Sequence, residues 1–181
     1  MGREIRMVPP NWEHPVSRDV YGRERLQPMY DETFSTAAGE WKAGFLKWES
    51  GERPDYFEDR PEGYEFWEWD VQPPSREYYR PWSDDEATWF QLWETVSEGT
   101  PVSPPFSTKE ELADYLADNG DFWDQKRCIE PDWDRLWGGT PGVSGWGKER
   151  AYRFVNVGWA PSMIATSAGV IDGKLAVSPT K

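Results

Sequence analysis

The chain holds one histidine, His14 in NWEHP, and one cysteine, Cys128 in QKRCIEP. A Ser-His-Asp or Cys-His arrangement needs the imidazole beside a nucleophile, and only the thiolate form of cysteine attacks. Lys126 and Arg127 would favour that thiolate if they were its neighbours in space, which adjacency in sequence does not establish. Flanked by Glu13 and Pro15, His14 reads as a loop residue bonded to its neighbours, and Cys128 as a structural or incidental thiol. Zinc takes three or four His or Cys ligands, more than the two present, so that chemistry drops out. Carboxylates are plentiful. Asp55, Glu58 and Asp59, or Asp118, Asp121 and Asp124, are spaced to converge in a loop and offer oxygens to Mg²⁺ or Ca²⁺. Neither set follows the calcium-loop pattern with its central Gly and terminal Glu, and incidental surface acid explains both. FWEWD and DFWDQ put acids beside tryptophans, as glycoside hydrolysis and sugar stacking require, but 13 Trp and 33 Asp plus Glu make such neighbours unavoidable. GGTPGVSGWGK lacks the Walker spacing and a preceding apolar strand, so it reads as a loop. The residues predict no catalytic group, no cofactor and no metal.

Binding is the remaining chemistry, and charge shapes it. Of the net −13, residues 31–70 carry −8 and residues 84–134 carry −11, whereas residues 135–181 carry +4. Such a surface repels phosphate, so neither direct nucleic-acid binding nor a membrane is expected. It favours basic partners, including the basic grooves of nucleic-acid-handling proteins; solubility is the plainer use of the same charge. The candidate partner-binding residues are Glu65, Trp67, Glu68, Trp69 and Asp70, then Glu94 and Glu98, then Asp118, Asp121, Trp123 and Asp124. Tryptophans would anchor such an interface and carboxylates would steer the encounter.

The elements that must position these residues follow from pattern. A chain of 181 residues is read as a single domain, 1–181, with residues 1–30 as an irregular N-terminal arm. Its apolar fraction of 37% is low, so the core is expected to rest on aromatics. REIRMV at 3–8 alternates as a strand that must end at Pro9-Pro10. A helix is predicted over 31–49, with Phe34, Ala37, Ala38, Trp41, Phe45 and Trp48 on one face and Asp31 and Glu32 in its first turn. YEFWEWDV at 64–71 alternates as a strand, and TWFQLWETV at 88–96 as a central one, returned by PVSPPF. A helix over 108–118 carries two capping pairs, Ser107 with Glu110 and Thr108 with Glu111, and ends at Asn119-Gly120. A further helix is expected over 145–157 behind Ser144, and a hairpin in MIATSAGVIDGKLAVS turning at Asp172-Gly173. Together these predict an α+β fold, a small antiparallel sheet packed with about three helices and long Trp/Pro-rich loops. One cysteine leaves no internal disulfide, and MGREIRMVPPNWEHP has no apolar signal core, so the chain is expected to be soluble and intracellular.

RMVPPNWEHP, WFQLWETVSEGTPVSPPFSTKEELADYLADNGDFWDQ and GWAPSM together resemble small accessory proteins encoded by tailed phages. The resemblance covers about half of the chain and carries no catalytic residues across. It implies expression inside a bacterial host, in the host cytoplasm. By analogy with small acidic phage proteins, it implies inhibition of host defence in the manner of anti-CRISPR proteins or nucleic-acid mimics. A structural or assembly component of the phage is the alternative.

Overall fold

The structure is a computed structural model that describes residues 2–53, 63, 65–69, 72–95, 99–129, 144–161, 163–166 and 169–172. In chain order the elements are β1 (Arg3–Val8), β2 (Val16–Arg18), β3 (Glu24–Leu26), β4 (Tyr30–Thr33), α1 (Phe34–Glu49) and α2 (Phe66–Trp69). They continue with a 3-10 turn (Arg76–Tyr78), β5 (Tyr79–Arg80), β6 (Trp89–Glu94), α3 (Lys109–Asn119), α4 (Phe122–Ile129), α5 (Lys148–Val157), β7 (Trp159–Ala160), β8 (Met163–Thr166) and β9 (Gly169–Asp172). The fold is α+β. The chain divides into two compact units: Met1–Pro28 with Trp82–Lys181, and Met29–Pro81.

The first unit is built on an antiparallel sheet in the order β6-β1-β7. Its register sets Ile5 opposite Leu92, Arg6 opposite Gln91 and Val8 opposite Trp89. Paired residues share a face, so Ile5, Leu92 and Ala160 turn one way and Arg6, Gln91 and Trp93 the other. The first face meets Leu112, Leu116, Ala151 and Phe154 of α3 and α5 in one buried cluster. Fully burying Leu112 or Leu116 contributes about 1.5–3 kcal/mol each.

The strand expected at 88–96 is bonded on both sides, by β1 and by the returning segment at 100–106. Pro101, Pro104 and Pro105 lack the N–H a regular ladder needs. The return therefore makes isolated bridges, Trp93 to Pro101 and Phe90 to Phe106. Ser103 fills a gap in the ladder: its Oγ accepts from Leu92 N at 3.0 Å while its carbonyl accepts from Gln91 Nε2 at 2.9 Å.

Helix α3 is capped where expected. Thr108 Oγ1 accepts from Glu111 N, and the Glu111 carboxylate accepts from Thr108 N in return. Ser107 also uses Glu111 and not Glu110: its Oγ donates to Glu111 Oε2 at 2.7 Å, so one carboxylate holds both hydroxyl residues in place. At the far end Gly120 takes φ 68°, and a Cβ there would lie 2.0 Å from Ser144 O. Only glycine fits there, and the residue preceding α5 is Gly147, not Ser144. Residues 144–147 lie across the end of α3 and supply its carbonyls, Trp146 N to Leu116 O at 3.0 Å and Gly147 N to Ala117 O at 3.1 Å. Helix α5 consequently starts at Lys148, without a side-chain cap, and buries Ala151, Phe154 and Val155 as the sequence predicts.

Two further expectations for this unit are corrected. Within the N-terminal arm expected to be irregular, β2 and β3 pair as an antiparallel hairpin. Near the C-terminus, β8 and β9 pair with Thr166 opposite Gly169 and Met163 opposite Asp172, so the connection falls at 167–168 and Asp172 stands at the open end. That register matches Ile164 with Ile171, apolar type against apolar type.

In the second unit, α1 begins at Phe34 behind Thr33, whose Oγ1 accepts from Thr36 N at 3.3 Å. Asp31 and Glu32 lie in β4, which pairs in parallel with β5, so they are not first-turn residues. The predicted apolar face holds, with Ala37 and Trp48 buried. The strand expected at 64–71 is instead the short helix α2. Phe66 explains the change: its ring sits 5.3 Å from Trp41, 6.0 Å from Phe45 and 5.9 Å from Trp48. Gly44 makes room for it, since a Cβ there would lie 2.9 Å from the ring. One deeply inserted aromatic outweighs an alternating pattern, because each such ring buries a large apolar area.

Candidate functional site

Four of the eleven candidate residues come together, and they do so as structure. Asp121 is 0% exposed, and its Oδ2 accepts from Arg3 Nε at 2.8 Å. Its Oδ1 accepts from Asp124 N at 2.8 Å, while Asp124 Oδ2 accepts from Asp121 N at 3.2 Å. This reciprocal pair is a capping box with aspartate in the glutamate position, and it starts α4. Asp124 further accepts from Trp146 Nε1 at 2.6 Å and from Arg127. Glu94 accepts from Thr100 Oγ1 at 2.7 Å and from Trp123 Nε1 at 3.1 Å. The run from 118 to 124 therefore is not an acidic loop: Asp118 lies in α3, Asp121 caps α4 and Asp124 lies within it. Asp121 offers nothing to a partner, because it is sealed against Arg3.

The remaining candidates are displayed or fall elsewhere. Asp118 is exposed on α3, as are Glu110 and Asp114. These three sit at four-residue steps and so share one helix face. Tyr152 of α5 donates to Asp114 Oδ1 at 2.9 Å, and that bond, then burial, then the charges of Asp114 and Glu110, raise the tyrosine pKa. In the second unit Glu65 and Glu68 are exposed and Trp67 is 41% exposed, with Glu65 N donating to Glu68 Oε2 at 3.0 Å. Trp69 ends α2. Asp70 and Glu98 lie outside the described residues, as do Asp55, Glu58 and Asp59.

His14 is held by hydrogen bonds at both ring nitrogens. Its Nδ1 accepts from Trp12 Nε1 at 3.4 Å and its Nε2 donates to Gln27 O at 2.6 Å, which fixes a neutral ring with both nitrogens engaged. The ring lies 5.0 Å from Trp93, and Trp12 in turn lies 4.4 Å from Trp82. Burial first, and the Arg6 charge with it, lower the His14 pKa from its ordinary 6.5, against an upward pull from the Gln27 carbonyl. Between that lowered value and 6.5 the unfolded chain binds more protons than the folded one, so stability is full above about pH 6.5 and falls as pH drops through it. Chemical denaturation in steps from pH 7.5 to 5.5 should show the midpoint falling for the wild type and much less for His14→Gln. Equal slopes would mean His14 is not the group responsible.

Cys128 is half-buried on α4, and its neighbour Arg127 is bonded to Asp124. Among the described residues no group of three or more His, Cys, Asp or Glu side chains gathers in a way that could hold a metal ion. No helix of the described residues is long and apolar enough to cross a membrane. Comparison with protein-family models, curated proteins and solved structures returned no match.

The internal network was missed in sequence because its organiser is Arg3, 118 residues from Asp121. One local signal was readable: Asp-x-x-Asp before an amphipathic stretch is a helix start.

Proposed function

We propose that the chain is a stoichiometric binding protein that acts by occupancy and not by turnover. Its displayed carboxylates enter a basic groove of a partner protein. The resemblance to tailed-phage accessory proteins makes that partner a host defence protein, a nuclease or CRISPR effector complex met in the bacterial cytoplasm.

The observation that carries this reading is the outer face of α3. Glu110, Asp114 and Asp118 are all exposed, and among the described residues none of them is ion-paired. The opposite face, through Leu112, Ala113, Leu116 and Ala117, is locked into the core. Three carboxylates on a fixed helix present negative charge at set intervals without an ordering cost on binding. The net charge of −13 adds long-range attraction to a basic surface.

Affinity purification from an infected host tests it. A nucleic-acid-handling defence protein should be retained, and retention should weaken steeply as salt rises, since exposed charges are screened within about 8 Å at physiological ionic strength. Replacing Glu110→Gln, Asp114→Asn and Asp118→Asn together should weaken binding about tenfold, chiefly through slower association. If no defence protein is retained and expression leaves host immunity to phage unchanged, the proposal is wrong. Recovery of the chain in purified virions would instead assign it to particle assembly.

A further inference from the structure

The hairpin β2–β3 differs in charge from the acidic stretches that follow it. Residues 16–26, VSRDVYGRERL, hold Arg18, Arg23 and Arg25 against Asp19 and Glu24, a local +1 within a chain of −13. At its tip Val20 is 93% exposed and Tyr21 is 80% exposed. Tyr21 keeps one contact, the Arg23 guanidinium 5.1 Å from its ring centroid, and both side chains otherwise face solvent.

The tip is nonetheless held in one shape. Asp19 Oδ1 accepts from Tyr21 N at 2.9 Å and Arg23 N at 3.0 Å, while Oδ2 accepts from Arg23 Nε at 2.9 Å and Arg25 Nε at 3.0 Å. Across the turn Asp19 N donates to Arg23 O at 3.0 Å and Gly22 N to Asp19 O at 2.8 Å. At the base Gln27 N donates to Pro15 O at 2.9 Å, and His14 fastens Gln27 O to the aromatic cluster. Arg23 and Arg25 give Asp19 only one N–H each, and their side chains remain 62% and 61% exposed.

We propose that this tip is a docking element for a second protein surface, an apolar pocket rimmed by carboxylates, separate from the groove that takes the acidic helix face. Val20 and Tyr21 fill the pocket; the outer guanidinium N–H groups of Arg23 and Arg25, and those of Arg18 that its 3.3 Å bond to Glu24 leaves over, donate to its rim. A pre-shaped loop with a rigid aromatic at its apex binds without losing the freedom a mobile loop would lose. Guanidinium groups suit carboxylates through paired N–H donors. Nucleic acid is the poorer occupant: the rest of the chain is strongly negative, and a phosphate backbone gives Val20 nothing apolar to enter.

The test uses the full chain with a photoreactive benzophenone side chain in place of Tyr21, and as control the same group in place of exposed Glu40. The protein captured by the tip is identified and purified, and its affinity for the unmodified chain is measured. Val20→Asp with Tyr21→Ala should weaken binding about 30-fold or more. The cross-link should map to a segment of the captured protein containing Asp or Glu. Because both side chains are exposed, the variant should keep the wild-type thermal midpoint, which separates lost binding from lost folding. Neutralising Glu110, Asp114 and Asp118 should leave the tip cross-link in place, so a failed acidic-face proposal and a failed hairpin proposal give different results. The inference is overturned if the tip captures no more than the control, captures nucleic acid or a second copy of the chain, maps to a segment without carboxylates, or binds equally well after the double substitution.

Discussion

Asp121→Ala should destabilise the chain by about 3–5 kcal/mol, the cost of breaking a buried ion pair from one side. Arg3 is 2% exposed, and its guanidinium donates to Asp121 Oδ2 at 2.8 Å and to the Gly2 carbonyl at 3.0 Å. Removing the carboxylate breaks an ion pair that is shut off from water. The same substitution removes the cap of α4, worth about 1 kcal/mol. Asp121→Asn separates the two contributions, since asparagine still caps a helix but carries no charge. It should retain the capping share and lose the ionic one, while Arg3→Met with Asp121→Leu should recover much of the deficit by removing both charges. Urea unfolding measures all three. For a chain of this size each kcal/mol lost lowers the melting temperature by about 2–4 °C. If Asp121→Ala melts within a degree of the wild type, the buried pair does not hold the unit together.

Trp93→Ala should cost about 3–5 kcal/mol, the range for deleting a large aromatic from a packed interior. Trp93 is 0% exposed. Its ring carries the Arg6 guanidinium 4.5 Å above it and His14 at 5.0 Å, and its Nε1 donates to Gln91 Oε1 at 3.2 Å. The loss is therefore more than a cavity: Arg6 loses an aromatic surface and Gln91 an N–H donor. A second readout distinguishes this site from any other core deletion. With Trp93 gone, water reaches His14, and its pKa should return upward towards 6.5, followed by NMR titration of the single histidine. A variant that is destabilised while His14 still titrates low would show that Trp93 is not what shields the ring.

What the sequence reveals of this fold depends on how local the deciding interaction is. The capped helix at 109–119 is readable because Thr108 and Glu111 are three residues apart and the apolar stripe repeats along it. The aromatic face of α1 is readable for the same reason. The stretch from 64 to 71 misleads because its alternation is real but the deciding contact, Phe66 against Gly44 and three rings of α1, lies some twenty residues away. Ser144 misleads similarly: a serine before a helix looks like a cap, yet its segment serves the end of α3. Among the candidate contact residues, type alone cannot separate Asp118 from Asp121. One faces outward and the other is enclosed by an arginine from the opposite end of the chain. Exposure and pairing are properties of the fold, and three residues of spacing conceal the difference.

The order β6-β1-β7 also sets a timetable. The middle strand, β1, leaves the ribosome before both of its partners, which follow at residues 89–94 and 159–160. Until then Val8 and Ile5 have no strand on either flank, and Arg3 waits for Asp121. Contacts this distant in sequence close slowly, because the loop entropy must be met before any of them forms. The second unit, Met29–Pro81, is synthesised in full during that delay. During synthesis β1 therefore keeps both edges open until residue 94 has emerged, and one of them until residue 160.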